Sequence, residues 1–239
     1  MTTYLTVLAK PTSQPSTFDV FWACGRNTQG VVTAAIGCAT ESDQVAAELS
    51  VLQYLLEVRE VCGQDRTGNS LLITCSLGAI KKLARGQSDK TSLVPFALFL
   101  RTRFFDAEVA VSKDEGFIAY AKANNHPEQL VVESPRLSQV QLADGLAVGI
   151  THHALVAYMT RYQNPLAANA WRALRAAMSH PGLRLQRSTQ EETTQYGKSI
   201  RVFDNPEGLR LVIAMEPDGA KLLTCYYVRS AARTPSNPR

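Results

Sequence analysis

Long apolar runs are missing from this chain. No stretch approaches the ~18 residues of a membrane-crossing helix, so no span is expected. The opening residues carry neither a basic leader nor an extended apolar segment, which argues against a secretory signal. Cysteine is scarce and unpatterned. Cys24, Cys38, Cys62, Cys75 and Cys225 are odd in number, scattered, and form no CxxC. That spacing argues against a zinc module and against a disulfide framework. The expectation is a cytoplasmic protein with reduced, mostly buried thiols, without a metal or cofactor. Histidine is rarer still, four in 239 residues.

What is present is enough apolar material, 45% of residues, to bury a core, together with a modest 19% of charged residues. The net charge of +4 is unevenly spread. Residues 1–137 hold 13 basic against 14 acidic side chains, a net of −1, whereas residues 138–239 hold 12 against 7, a net of +5. A basic second half suits an anionic partner such as RNA. It equally suits an ordinary solvated surface.

Three β-rich segments, residues 4–10, 18–24 and 31–40, are separated by short turn sequences, which predicts antiparallel hairpins. Ser42 and Asp43 then open a helix whose Val45, Leu49, Leu52, Leu55 and Leu56 share a face. Residues 71–75 read as a buried central strand, 77–84 as a short helix, and 95–104 as a helix opened by Pro95. A strand at 107–112 and a short helix at 117–123 complete the order β-β-β-α-β-α-α-β-α. The interleaved aromatic and basic residues at 96–105 read as a core helix, with a base-stacking platform as the alternative.

Residues 124–139, rich in Asn, Pro and Ser, read as a linker, with a small strand conceivable at 130–132. Beyond it come helices at 150–162 and 166–180, then strands at 183–188, 198–203, 209–215 and 221–228. The expectation is therefore α+β in two domains, at 1–123 and 140–230. The second is α-α-β-β-β-β with an antiparallel sheet. Residues 231–239 are expected to be a disordered tail.

The first half resembles the ribonuclease H fold, on the strand-helix order and on AAELSVLQYLL, where Glu48 occupies the glutamate position of the family's first helix. LLITCSLGAI resembles the family's next strand, which ends in Asp-Ser. The resemblance implies several carboxylates converging on paired Mg²⁺. The chain departs from it. Lys10 stands near the place of the first-strand aspartate, and Cys75 replaces the central one. Asp114 matches the last acid only loosely. The resemblance thus implies a metal-free relic scaffold, in which Glu48 can also be an ordinary helix carboxylate.

The second half resembles RelE/barnase-like ribonuclease domains, on His153-Ala154 followed by Arg161 in ITHHALVAYMTRY and on LLTCYYV with Thr224 and Tyr226. The group's further Arg-Met pair is absent, Ala157-Tyr158 standing there instead. The resemblance implies metal-independent RNA cleavage. His153 would transfer protons, Arg161 and Arg201 would hold phosphate, and Thr224 and Tyr226 would orient the substrate, with Lys198 nearby. His153 and Arg161 lie about 12 Å apart along a helix, so they cannot act on one atom. Thr224 and Tyr226 share a sheet face, with Cys225 turned to the other.

Two functions remain open on the sequence. One is a toxin-like or accessory RNA-cleaving protein. The other is a catalytically inactive protein-protein interaction factor, such as a plasmid- or phage-encoded inhibitor of host or conjugation machinery.

Overall fold

In strand β1 (Thr3–Pro11), buried side chains fall on both faces. Leu5, Val7 and Ala9 enter one core, whereas Leu8 meets Phe21, Val31, Ile118 and Ala121 on the other side. A strand that is apolar on both faces belongs in the interior of a covered sheet, and β1 lies there. The computed structural model describes residues 2–25, 28–123, 127–162, 167–197 and 199–228. They form two compact units, 1–138 and 139–239, together an α+β fold. Among the described residues no helix is long and apolar enough to cross a membrane.

In the first unit β1, β2 (Thr17–Cys24) and β3 (Thr28–Ile36) form an antiparallel meander. Helix α1 (Asp43–Glu57) follows. Ser42 occupies its cap position without a side-chain cap bond, and Asp43 instead accepts from the Ser16 and Thr40 hydroxyls. β4 (Leu71–Cys75) pairs parallel with β1, and β5 (Glu108–Val111) pairs parallel with β4. Helix α2 (Gly78–Ala84) lies between them in sequence, and α3 (Ile118–Ala123) follows β5. The sheet order is β5-β4-β1-β2-β3-β6, where β6 is Glu128–Val132.

α1 buries ten of its fifteen residues, Glu48 among them, which is the signature of a helix enclosed on most sides. The segment expected as a helix at 95–104 is a 3-10 helix over Pro95–Arg101. Leu93, Phe96, Phe99 and Thr102 are buried at intervals of three, the period of a 3-10 turn, and Ala97 and Leu100 are buried beside them.

The expected linker at 124–139 holds a sixth strand. β6 (Glu128–Val132) extends the sheet by pairing parallel with β3. Ser138 is 1% exposed and donates to the Glu57 carboxylate at the end of α1, so the first unit reaches Ser138. The boundary between the two units falls after Ser138, within the expected segment, of which residues 124–126 lie outside the described residues.

The second unit also departs from expectation. Its order is β7 (Gln139–Gln141), β8 (Ala147–Ile150), α4 (His152–Tyr162), α5 (Ala167–Met178), β9 (Arg184–Gln186), α6 (Gln190–Tyr196), β10 (Ile200–Asp204), β11 (Leu209–Glu216) and β12 (Gly219–Tyr227). The sheet order is β7-β8-β12-β11-β10-β9. It is mixed rather than antiparallel, because β8 pairs parallel with β12. The expected tail, with Lys198, lies outside the described residues. α4 and α5 cover one sheet face, with Leu155, Tyr158, Trp171, Leu174 and Met178 packed on Phe203, Leu211, Ile213 and Leu222.

Candidate functional site

Glu48 is brought to the ends of β1 and β4 by the packing of α1 on the sheet. Its carboxylate accepts from the Ala9 amide at 3.2 Å, the Ser76 amide at 2.6 Å and the Ser76 hydroxyl at 2.5 Å. Burial pushes its pKa above the usual carboxylate range, and the Ser76 and Ala9 bonds only partly oppose this. One carboxylate thus ties two parallel neighbours together, and Gln44 adds a bond to the Ala9 carbonyl at 2.8 Å.

The other positions named by the ribonuclease H resemblance do not add acids to this point. Lys10 pairs with Glu115 at 2.5 Å, both half-exposed. Cys75 is wholly buried, and burial, with the nearby Glu48 charge, drives its thiol pKa well up. Asp114 is exposed and caps its own turn by accepting from the Gly116 amide. Among the described residues no three His, Cys, Asp or Glu side chains are grouped to hold a metal.

In the second unit, a β-bulge decides which side chains meet. Val212 pairs with Thr224 but Ile213 pairs with Leu222, so Leu223 is the extra residue of β12. The bulge resets the alternation. Cys225 joins Leu211 in the helix-covered core, and burial raises its thiol pKa to about 12. Thr224 and Tyr226 fall on the opposite face, with Val202, Asp204, Arg210 and Val212.

On that face sits a polar network. α6 begins with a capping box, in which Thr189 and Glu192 exchange side-chain and backbone bonds. The same Glu192 carboxylate accepts from the Tyr226 hydroxyl and lies 3.5 Å from Arg210. Arg210 forks onto Asp204 with bonds of 2.7 and 2.8 Å. Burial pushes the Glu192 pKa up, but Tyr226, Thr189 and Arg210 outweigh it and leave the acid below its usual range. Burial and the bond to Glu192 raise Tyr226 to about 12.

Of the five residues predicted from sequence, Arg161 and Tyr226 come together. The Arg161 guanidinium lies 5.9 Å from the Tyr226 ring centroid and donates to the Cys225 carbonyl. On β12, β8 reaches only Ala220 to Leu222, so Arg161 supplies a donor to β12 beyond the point where β8 stops. Thr224 shares the Tyr226 face but is 3% exposed. Arg201 is not part of the group. It pairs in register with Ile213 and alternates with Phe203, which puts it on the helix-covered face at an exposed position. His153 is exposed in the first turn of α4, a helix started by Thr151, whose hydroxyl accepts from the Ala154 amide and donates to the Leu222 carbonyl.

Glu192, Arg210 and Asp204 were absent from the sequence-derived set. Signals for them existed: Thr189-x-x-Glu192 is a capping-box spacing, and the Asn205-Pro206 turn sets Asp204 opposite Arg210. Comparison with protein-family models, with curated proteins and with solved structures gives no match.

Proposed function

We propose that the protein acts by docking on a protein partner rather than by catalysis. The observation that carries this reading is that Glu48, Tyr226, Arg210 and Arg161 are engaged by other groups of the fold, while His153 and Arg201 stand exposed and apart from them. Glu48 is held by Ala9 and Ser76. Tyr226 is bound to Glu192, Arg210 to Asp204 and Arg161 to a backbone carbonyl. A general base or phosphate clamp must be within hydrogen-bond reach of a substrate atom. The first unit is read as a degenerate ribonuclease H-like scaffold. Its support is the β3-β2-β1 meander continued by parallel β4 and β5, with Glu48 on the intervening helix. In place of the family's acids stand Lys10 and Cys75.

The net +5 of residues 138–239 favours a partner with an acidic surface, and Arg172 is exposed on α5. Arg172→Glu should weaken partner binding and biological effect at unchanged stability, while His153→Ala leaves both intact.

The second reading is metal-independent RNA cleavage by a RelE/barnase-like second unit. Its support is the exposed His153 on the helix that also carries Arg161 to Tyr226. One assay separates the two. Purified protein is incubated with total RNA in EDTA. Intact RNA at high protein concentration supports docking. Cleavage leaving 2′,3′-cyclic phosphate ends and lost in His153→Ala overturns it, since removing a general acid-base group costs about 10²–10⁴-fold.

A further inference from the structure

The five thiols are not equivalent. Cys75 and Cys225 are 0% exposed, whereas Cys24 and Cys62 are 8% and 9% exposed. Cys24 closes β2, fixed in register against Leu5 and Thr28, and Cys62 lies in the loop between α1 and β4. Their sulfurs are 3.5 Å apart, and Cys24 Sγ also lies 3.3 Å from the Val61 carbonyl. A disulfide needs about 2.05 Å between sulfurs, so an approach of about 1.5 Å completes the bond. The loop thiol is the partner able to move, because no strand register holds it.

We propose that Cys24 and Cys62 form a thiol-modification site, converted to an intramolecular disulfide by oxidants of the hydroperoxide class. The step balances. The Cys24 thiolate attacks the distal peroxide oxygen, the O–O bond breaks, and hydroxide leaves as water with the proton first held on Cys24. Cys62 Sγ then attacks the Cys24 sulfenic sulfur and displaces its hydroxyl, which departs as water with the Cys62 proton. Two thiols are oxidised, and one H2O2 is reduced to two waters.

The order follows from the local field. The hydrogen bond between the two thiols, opposed by burial and aided by the Arg66 charge, lowers the Cys24 pKa and favours Cys24 as the attacking thiolate. The same bond, together with burial, pushes Cys62 up. The other thiols are placed elsewhere. Cys38 lies 3.9 Å from the Val132 carbonyl and Cys225 lies 3.7 Å from that of Ala154.

The disulfide would tie the loop after α1 to the end of β2 across 38 positions. Closing such a loop restricts the unfolded chain, and the reduced-to-oxidised rise in melting temperature should be on the order of 10 °C.

The experiment uses the full chain, reduced and freed of reductant, then treated with H2O2. Thiol titration in denaturant should fall from five groups to three. Peptide mass spectrometry should locate a Cys24–Cys62 crosslink within one chain. Cys24→Ala and Cys62→Ala should each abolish the crosslink and the melting shift, while Cys38→Ala keeps both. In Cys62→Ala, dimedone should trap a sulfenic acid at Cys24. Five thiols remaining, a crosslink to Cys38 or between chains, or overoxidised Cys24 beside a free Cys62 would each overturn the proposal.

Discussion

Truncating Glu48 tests whether that carboxylate is architecture. In Glu48→Ala the Ala9 amide, deep in the sheet, loses its acceptor, and so do the Ser76 amide and hydroxyl, which are half-buried. A buried donor left unsatisfied costs about 1–3 kcal/mol. Counting Ala9 at about 2, the partly hydrated Ser76 pair at about 2 and the small void at about 1 kcal/mol gives a gross loss near 5 kcal/mol. Removing the carboxylate also relieves its own burial, which the raised pKa registers, so the net loss should be about 3 kcal/mol, or about 10 °C in melting temperature. Glu48→Gln retains the shape but sets an amide donor against one backbone donor, for a loss of about 2 kcal/mol.

The pH dependence has a definite sign. A folded-state pKa raised above 4.5 means that the stability Glu48 contributes is present below that value and is lost as pH rises through the folded pKa. The advantage of the wild type over Glu48→Gln should therefore be largest at acid pH and narrow toward neutrality. Urea unfolding followed by the fluorescence of buried Trp22, in a Trp171→Phe background, reports the first unit alone. A Glu48→Ala variant within about 1 kcal/mol of wild type would refute the reasoning, being smaller than a single orphaned donor. So would an advantage that widens with pH.

Four further outcomes are expected. Gly68→Ala should unfold the first unit or cost it several kcal/mol, on the order of 3 or more, because the new Cβ would stand 2.4 Å from the Ala107 amide nitrogen, and thermal melting checks this. Tyr226→Phe should cost about 1 kcal/mol in the second unit, read by Trp171 fluorescence. Glu192→Gln should flatten the acid limb of that unit, since the lowered Glu192 pKa contributes stability above 4.5 that is lost as pH falls through the folded value. Limited proteolysis should spare residues 128–138, held by β6 pairing and by the Ser138–Glu57 bond, and early cutting there would contradict that packing.

The sequence announced the first unit because its punctuation and periodicity agree. Turn residues bound β1, β2 and β3, and the leucine ladder names α1. β4 falls at residues 71–75 as the apolar run indicates. β6 was half-visible as Leu130-Val131-Val132 and then masked by its Pro- and Ser-rich surroundings. The second unit was harder to read. α6 is QEETTQY, without an apolar stripe, and is held by a cap and by Glu192 rather than by hydrophobic packing. β7 and β8 are three and four residues long, too short for alternation to register. The candidate site was legible where it depended on local alternation, as with Thr224 and Tyr226 against Cys225. It was illegible where it depended on which face of a neighbouring strand looked the same way, as with Arg201.

The order β7-β8-β12-β11-β10-β9 has a consequence for synthesis. The last described strand to be made is the third in the sheet, the seam between a β7-β8 hairpin and a β11-β10-β9 ribbon. On a ribosome both pieces emerge before the strand that joins them, and each offers an unpaired edge during that interval. The pairing of β8 with β12, which links Val148 to Ala220, must wait for some seventy residues of chain. A nascent chain halted before residue 219 would carry a finished first sheet and two unjoined fragments of the second. The final nine residues of described sheet, Gly219–Tyr227, thus act as the closing stitch of the whole unit, and mistranslation or nicking there would have an effect out of proportion to their number.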